Sequence, residues 1–217
     1  MSTAPLPHAI PGGTFDDAEH VYKDKRGRRI ASATQVFALL GMIDYSRVRE
    51  EILERKSQLG VAVHAAVQYL CEGCLDWDTV DPVALPYVVA AEYWIKEQGF
   101  TSIAQEEQGI AEVNGMMFGF MMDNRGTMMY KGRHRHVILD YKTCVAESPT
   151  WPLQTAAYAL AAPKLPNGEK YLRVILQLKA DGKAKPYYFE DREDENSFLY
   201  ALYVAIWMLN RGFTIEK

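Results

Sequence analysis

Apolar residues in the first half of the chain recur with the period of an α-helix. The longest such stretch has apolar side chains three, four or seven positions apart: Val48, Ile52, Leu59, Val63, Val67 and Leu70. This spacing predicts an amphipathic helix over residues 46–70. Shorter helices are predicted over residues 33–41, which end at Gly41, and over residues 82–98, which Gly99 closes.

Apolar segments of strand length follow these helices. The predicted order is strands at about 101–112, 115–124 and 135–142, a helix at 150–161, strands at 171–179 and 185–190, and a helix at 193–210. Such an order predicts an α/β fold with a central mixed β-sheet flanked by helices and a helical N-terminal part. Residues 1–13 are rich in Pro and Gly and are predicted to be a flexible lead-in to a single domain over residues 14–217.

The composition fits one globular domain with a substantial core, since 48% of the 217 residues are hydrophobic and 24% are charged. No run of apolar residues is long enough to predict a membrane span, and no signal peptide is predicted. Three cysteines, an odd number, suit a reducing cytoplasm. A net charge of −4 is not typical of a protein that coats nucleic acid. A nucleic-acid enzyme of this charge needs a local basic strip.

The segment from Ile138 to Thr143 carries the first candidate chemistry. Asp140 and Lys142 are two positions apart, so they lie on the same face of the predicted strand. A carboxylate is a hard oxygen ligand for Mg²⁺ or Mn²⁺, and a neighbouring ammonium can hold a water or neutralise charge on a phosphate. By itself the pair is more often an ordinary solvated ion pair.

Other polar residues are predicted to converge on this pair. Asp123 ends an apolar strand, and an antiparallel hairpin would bring it close to Asp140, where two like charges favour a bound cation. His64 lies in the long predicted helix. Gln154 and Tyr158 are four positions apart and share one face of another helix.

These residues form four motifs in a fixed order. They are GxxxH at residues 60–64, GxxxD at 119–123, DxK at 140–142 and QxxxY at 154–158. The order resembles the RecB-like branch of the PD-(D/E)XK nuclease superfamily, and it is most similar to phage and RecB-type exonucleases and the mitochondrial genome maintenance exonuclease group. Residues 20–22 and 30–36 resemble the opening of that family, with Ala33 where Val is usual. The resemblance covers residues 15 to 160 and implies a restriction-endonuclease-like core.

The resemblance implies a role for each motif residue. Asp123, Asp140, His64 and the backbone carbonyl of Tyr141 would hold Mg²⁺ or Mn²⁺, and an imidazole ligand favours Mn²⁺. Lys142 should stay charged beside two carboxylates, so its expected role is to position the water and stabilise negative charge.

A further acid near the start of the strand region is also implied. Glu106 and Glu107 both qualify, but only one of two adjacent strand residues can face the site. The resemblance favours Glu107 as a catalytic residue, because Glu107 with Ile110 better matches the spacing in that family. The alternative is that both are solvated residues at a sheet edge.

Contacts with DNA are expected from basic, polar and aromatic residues near these motifs. The candidates are Arg125, Lys131, Arg133, Arg135, Thr143, Trp151, Gln154 and Tyr158. A second basic turn, at residues 23–29, is a further candidate, although most charged turns are simply solvated. Core packing is the alternative for Trp151 and Tyr158. Cys71 and Cys74 are too few for a structural zinc site and are expected to be reduced thiols.

The sequence thus predicts a metal-dependent DNA exonuclease that hydrolyses phosphodiester bonds from single-stranded or free ends, in phage or bacterial recombination, repair or processing. The helices at 33–41 and 46–70 could form an arch for one strand, with Tyr45 and Tyr69 for base stacking. A structure- or site-specific endonuclease and a non-catalytic nucleic-acid-binding relative are the alternatives. The resemblance to this family also suggests a recombination annealing protein or a single-strand-binding protein as a partner.

Overall fold

The N-terminal part of the protein is a small antiparallel sheet. We describe a computed structural model that covers residues 8–17, 19–44 and 48–214. The four strands are β1 (His8–Ile10), β2 (Gly13–Asp16), β3 (Val21–Asp24) and β4 (Arg29–Ile30), and they pair in chain order. The prediction of a flexible lead-in is therefore wrong for residues 8–13, while residues 1–7 lie outside the described residues.

The small sheet is ordered because it packs against the central sheet. The ring of Tyr22 lies on Gly119, where a Cβ atom would come within 2.4 Å of the ring. The Tyr22 hydroxyl donates a hydrogen bond to the Phe120 carbonyl at 3.2 Å. Pro11 adds a backbone contact, since its carbonyl accepts from the Ile110 amide at 2.8 Å. Of these contacts, that of Pro11 involves the predicted lead-in, and Pro and Gly content alone does not reveal it.

The central sheet has five strands in chain order. They are β5 (Thr101–Val113), β6 (Met116–Tyr130), β7 (Arg133–Lys142), β8 (Leu172–Leu178) and β9 (Ala184–Phe189). Strands β7 and β8 are parallel and the other neighbours are antiparallel. This confirms the predicted α/β class with a mixed central sheet flanked by helices.

Five α-helices accompany the two sheets in the described part of the chain. They are α1 (Ala33–Leu39), α2 (Glu50–Glu72), α3 (Leu85–Gln98), α4 (Trp151–Ala161) and α5 (Glu193–Leu209). Helix α1 begins at a capping box, in which Ser32 and Gln35 exchange side-chain-to-backbone hydrogen bonds. Helix α2 ends at Gly73 and α3 at Gly99, both in the left-handed conformation that glycine adopts most readily. No helix among the described residues is long and apolar enough to cross a membrane.

Alternate residues of β7 serve two separate cores. Val137, Leu139 and Tyr141 belong to the core beneath α2 and α3. Ile138 belongs to the core that α1, α4 and α5 cover. Because strand side chains alternate between faces, Asp140 and Lys142 follow Ile138 onto the α4 side of the sheet.

Strands β6 and β7 separate at one end of the sheet. Their register runs from the pair Tyr130–Arg133 to the pair Asn124–Leu139. Beyond this point β6 continues to Met116 beside β5. The separation leaves room between the strands for side chains, and the candidate site lies there.

Candidate active site and metal centre

Asp123 occupies the point at which β6 and β7 separate. Its buried carboxylate accepts a hydrogen bond from the Tyr141 amide, with 2.7 Å between Oδ2 and N. The carboxylate thus takes the place that a β6 carbonyl would hold in a continuing ladder. Strand pairing therefore fixes Asp123 beside the segment from Asp140 to Lys142.

His64 reaches the same place from α2. Its Nδ1 atom lies 3.4 Å from Asp123 Oδ1, and its Nε2 atom lies 3.1 Å from the Tyr141 carbonyl oxygen. Burial lowers the pKa of His64, but the charge of Asp123 and a hydrogen bond to it outweigh burial and raise the pKa to about 9. A group of negative charges thus surrounds the imidazole and stabilises its protonated form.

Glu106 completes the cluster, and Glu107 does not. The residues on either side of Glu106 pair with Asn124 and Met122, so Glu106 lies opposite Asp123. Ligand atoms of His64, Glu106 and Asp123 lie within 4.8 Å of one another. Burial raises the pKa of Glu106, and the charge of Asp123 raises it further.

The prediction that Glu107 faces the site is wrong. Glu107 forms a bidentate ion pair with Arg125, at 2.7 Å from Nε and 2.8 Å from Nη2. Arg125 is therefore committed to Glu107, which argues against the expected contact between Arg125 and DNA. Glu106 has a φ of 49°, a conformation that is uncommon for a non-glycine residue and that marks local strain.

Asp140, which is buried, and Lys142, which is partly exposed, form an ion pair on the α4 side of the sheet. Lys142 Nζ lies 2.5 Å from Asp140 Oδ2. Burial raises the pKa of Asp140, the charge of Lys142 opposes this, and the result is about 6. Burial lowers the pKa of Lys142, but Asp140 and Asp123 raise it above its ordinary value, so the lysine remains an ammonium ion. The charge of Asp123 raises the pKa values of both Asp140 and Lys142, as expected if the DxK pair lies close to Asp123.

Helix α4 supports Asp140 from behind. Gln154 Nε2 lies 3.4 Å from Asp140 Oδ1 and donates to the Tyr158 hydroxyl at 2.8 Å. Gln154, Tyr158 and Trp151 are all buried, and Trp151 packs edge-on against Tyr187. Their side chains offer no surface to a DNA backbone, so the expectation of direct DNA contacts is corrected to a supporting role. For Trp151 and Tyr158 the alternative of core packing is correct.

The Tyr141 side chain points away from the site into a polar network within the core. Asn124 donates to its hydroxyl at 3.3 Å and Ser102 donates to Asn124 at 2.8 Å. Cys71 lies beside the same hydroxyl, and both Cys71 and Cys74 are free thiols. The Tyr141 side chain is buried as predicted, while its carbonyl faces His64.

The basic hairpin between β6 and β7 lies at the wrong end of the sheet. Lys131 and Arg135 both pair with Glu190, at 2.9 and 3.1 Å. Arg133 begins β7 and Asp140 lies seven residues further on, which corresponds to roughly 23 Å in an extended strand. The expectation that Lys131, Arg133 and Arg135 contact DNA at the site is corrected, because closeness in sequence along a strand becomes separation in space.

Cations that the motif order does not reveal lie around a cleft of about 400 Å³ beside Thr143, the residue that follows Lys142. Lys179 and Lys185 line this cleft together with two acids, Glu147 and Asp181. Lys56 acts electrostatically on Cys144, another residue of this cleft. Lys56 is eight residues before His64, about two turns earlier on α2. Thr143 is partly exposed at this cleft, and its contact with phosphate stays a prediction.

The donors suit a hard divalent cation. The cluster presents one imidazole and two carboxylates from three separate elements, with the Tyr141 carbonyl beside them. The Tyr141 carbonyl oxygen lies 3.1 Å from His64 Nε2, so it could share a hard divalent cation held beside the imidazole. Mixed nitrogen and oxygen ligands also suit Mn²⁺.

Two tyrosines are expected to stack on bases. Tyr69 is exposed, and Tyr45 lies outside the described residues.

Comparisons with known proteins find only remote similarity. The solved structure of a "Putative exonuclease" from Eubacterium rectale is 12% identical, with a TM-score of 0.47, over 84% of this chain and 80% of that chain. The crystal structure of SSO0001 is also 12% identical, with a TM-score of 0.35, over 81% of this chain and 82% of that chain. No protein-family model and no curated protein matches. Similarity at this level assigns no activity, so the functional argument depends on the side chains.

Proposed function

We propose that the protein is a divalent-metal-dependent nuclease that hydrolyses phosphodiester bonds in DNA. One observation carries this proposal: ligand atoms of His64, Glu106 and Asp123 lie within 4.8 Å of one another, next to the ion pair of Asp140 and Lys142. These residues come from four elements of the fold, and no requirement of core stability explains why five acidic or basic groups should share a largely enclosed place.

The acidic and neutral donors of the site are proposed to bind the cation, and the basic Lys142 has a separate role. His64, Glu106, Asp123, Asp140 and the Tyr141 carbonyl are the candidate ligands of the cation. A cation held there would lower the pKa of a bound water and take up charge that develops on the phosphate. The protonated His64 of the metal-free protein must release its proton in order to become a ligand.

Lys142 cannot serve as the general base, because the neighbouring carboxylates keep it protonated. Its ammonium can instead orient the attacking water and stabilise the negative charge on the phosphoryl oxygens. Gln154 and Tyr158 do not touch the substrate in this scheme. They hold the Asp140 carboxylate in place from the buried side.

The cleft beside Thr143 supports a path for the DNA strand. Lys179 and Lys185 line it beside Glu147 and Asp181, and Lys56 adds positive charge near Cys144, which an acidic protein needs locally in order to bind a polyanion. Lys185 forms an ion pair with Glu147, with 2.8 Å between Nζ and Oε1. Lys56 and Lys179 are therefore the better candidates for phosphate contacts.

The preference for an exonuclease comes from sequence resemblance to the RecB-like branch of the PD-(D/E)XK superfamily. On that ground we propose digestion from single-stranded or free ends, within phage or bacterial DNA recombination, repair or processing. An annealing protein or a single-strand-binding protein is the proposed partner class. A structure- or site-specific endonuclease on the same core is the alternative.

A digestion time course tests the proposal. End-labelled single- and double-stranded DNA is incubated with the protein in Mg²⁺, Mn²⁺ or EDTA, beside Asp140→Ala, Lys142→Ala and, as a matched control, Arg133→Ala. We expect metal-dependent digestion that both site variants lose and the control retains. Equal rates for all four proteins would overturn the assignment. Closed circular DNA separates the two nuclease classes, since an exonuclease leaves it intact.

A further inference from the structure

The outer face of α5 is apolar and exposed. Tyr200, Tyr203, Val204 and Trp207 are 74%, 64%, 42% and 48% exposed, and they follow one another at helical spacing. The opposite face of the helix is buried in the core through Phe198, Leu202 and Ala205. We call the four exposed residues the α5 stripe. The helix therefore has apolar residues on both its buried and its exposed side.

The charge distribution of α5 sets this face apart from an ordinary solvated surface. Residues 196–210 contain no charged residue, although the helix lies at the surface. A solvated helix face normally carries charged or polar residues, and a helix that is apolar all round is normally covered. Tyr, Trp and Arg are also the residues most enriched in protein interfaces, and Arg211 lies 5.1 Å from the centre of the Trp207 ring.

The area of the α5 stripe is of the size that self-association needs. A buried aromatic side chain removes about 150–250 Å² from water, so the exposed parts of these four side chains amount to roughly 500 Å² per copy. Two copies would bury about 1,000 Å² before any polar rim is included, and specific interfaces begin near 1,200 Å². The neighbouring polar and charged residues of α5 would supply the remainder.

Charges at the two ends of α5 indicate the orientation. Glu193 is exposed in the first turn and Arg211 is exposed just beyond the last turn. In an antiparallel pair centred between Tyr203 and Val204, Tyr200 lies opposite Trp207 of the second copy. Glu193 then lies within one turn of Arg211 of the second copy, and the two helix dipoles also oppose each other favourably.

We propose that the protein forms a symmetric dimer through antiparallel packing of the two α5 stripes. The interface is isologous, so the ion pair occurs twice. Single-stranded nucleic acid is the other occupant that aromatic residues could suggest. The charges argue against it, because residues 193–211 contain three acidic residues and one basic residue.

The oligomeric state in solution tests the proposal. Sedimentation equilibrium of the full chain should give twice the chain mass of 24.6 kDa. Tyr203→Glu should give the single-chain mass, because it places two carboxylates beside the symmetry axis. Val61→Glu, at an exposed valine on α2, is the matched control and should remain dimeric. Circular dichroism checks that each variant is folded, and Trp207→Ala replaces Tyr203→Glu should the latter unfold.

A charge exchange tests the orientation. Glu193→Lys and Arg211→Glu should each weaken the dimer about tenfold, and the double variant should restore most of the loss. A wild-type chain that stays monomeric at tens of micromolar would overturn the dimer, as would a dimer that Tyr203→Glu and Trp207→Ala both leave intact. A single-chain mass together with binding of a labelled oligonucleotide that Tyr203→Glu abolishes would assign the face to nucleic acid instead. None of these outcomes depends on nuclease activity.

Discussion

Asp123 and Tyr141 are joined by a hydrogen bond of 2.7 Å between a carboxylate and a backbone amide. The bond lies where β6 leaves β7, so it belongs to the architecture of the sheet as much as to the site. The carbonyl of the same residue, Tyr141, faces His64. Asp123 therefore provides one candidate metal ligand, its own carboxylate, and helps to position a second, the Tyr141 carbonyl. Strand pairing and metal binding are therefore expected to respond together to changes at this residue.

Substitutions of Asp123 should separate its two roles. Asp123→Asn keeps an oxygen acceptor for the Tyr141 amide but removes the charge, so it should fold and lose most of its affinity for Mn²⁺. Asp123→Ala leaves the amide without this acceptor, which should lower the free energy of unfolding by about 1–3 kcal/mol more. Thermal denaturation in EDTA measures stability, and calorimetric titration measures metal affinity. Equal stabilities of the two variants would contradict the structural role.

The adjacent acids provide a matched pair for the metal site. Glu106→Gln removes a candidate ligand and should weaken Mn²⁺ binding at least tenfold, with a corresponding loss of nuclease activity. Glu107→Gln weakens only the ion pair with Arg125 and should leave metal affinity within about twofold of the wild type. Titration of both variants with Mn²⁺ distinguishes the residues. The reverse order of effects would restore Glu107 as the site residue.

The fold and half of the site follow from local sequence patterns. Hydrophobic periodicity predicts the central sheet and its helices because each element buries one face or both. The DxK pair is predicted because strand geometry alone places Asp140 and Lys142 on one side. Strand β1 and the start of β2 escape prediction because their stability comes from contacts such as that of Pro11 with Ile110, between residues far apart in the chain.

The identity of the third acid depends on strand register. Asn114 and Gly115 both have positive φ, at 53° and 76°, which is typical of a two-residue hairpin turn. This turn pairs Val113 with Met116, and counting back along both strands places Glu106 opposite Asp123. The match to the family's spacing favours Glu107 because it takes no account of the register that the turn imposes. The Asn-Gly signal was therefore sufficient to find Glu106.

The pH dependence of stability should report the charge of His64. Its pKa in the metal-free protein is about 9, above the ordinary value of about 6.5. A raised pKa means that the contribution of His64 to stability is complete below pH 6.5 and is lost as the pH rises through 9. We expect the free energy of unfolding in EDTA to fall across this window. His64→Gln should flatten the profile there, and an unchanged profile would contradict the proximity of His64 to Asp123.

Contacts with DNA should depend on the cleft and not on the basic hairpin. Lys56→Ala and Lys179→Ala should each weaken binding of single-stranded DNA several-fold and reduce the slope of log affinity against log salt by about 0.7. Arg133→Ala is the matched control, since Arg133 is exposed but lies roughly 23 Å from Asp140 along β7. Fluorescence anisotropy in Ca²⁺, at several salt concentrations, measures these quantities with digestion slowed. A loss of affinity confined to Arg133→Ala would place the DNA at the far end of the sheet, because a phosphate contact removed by mutation must lie within reach of that side chain.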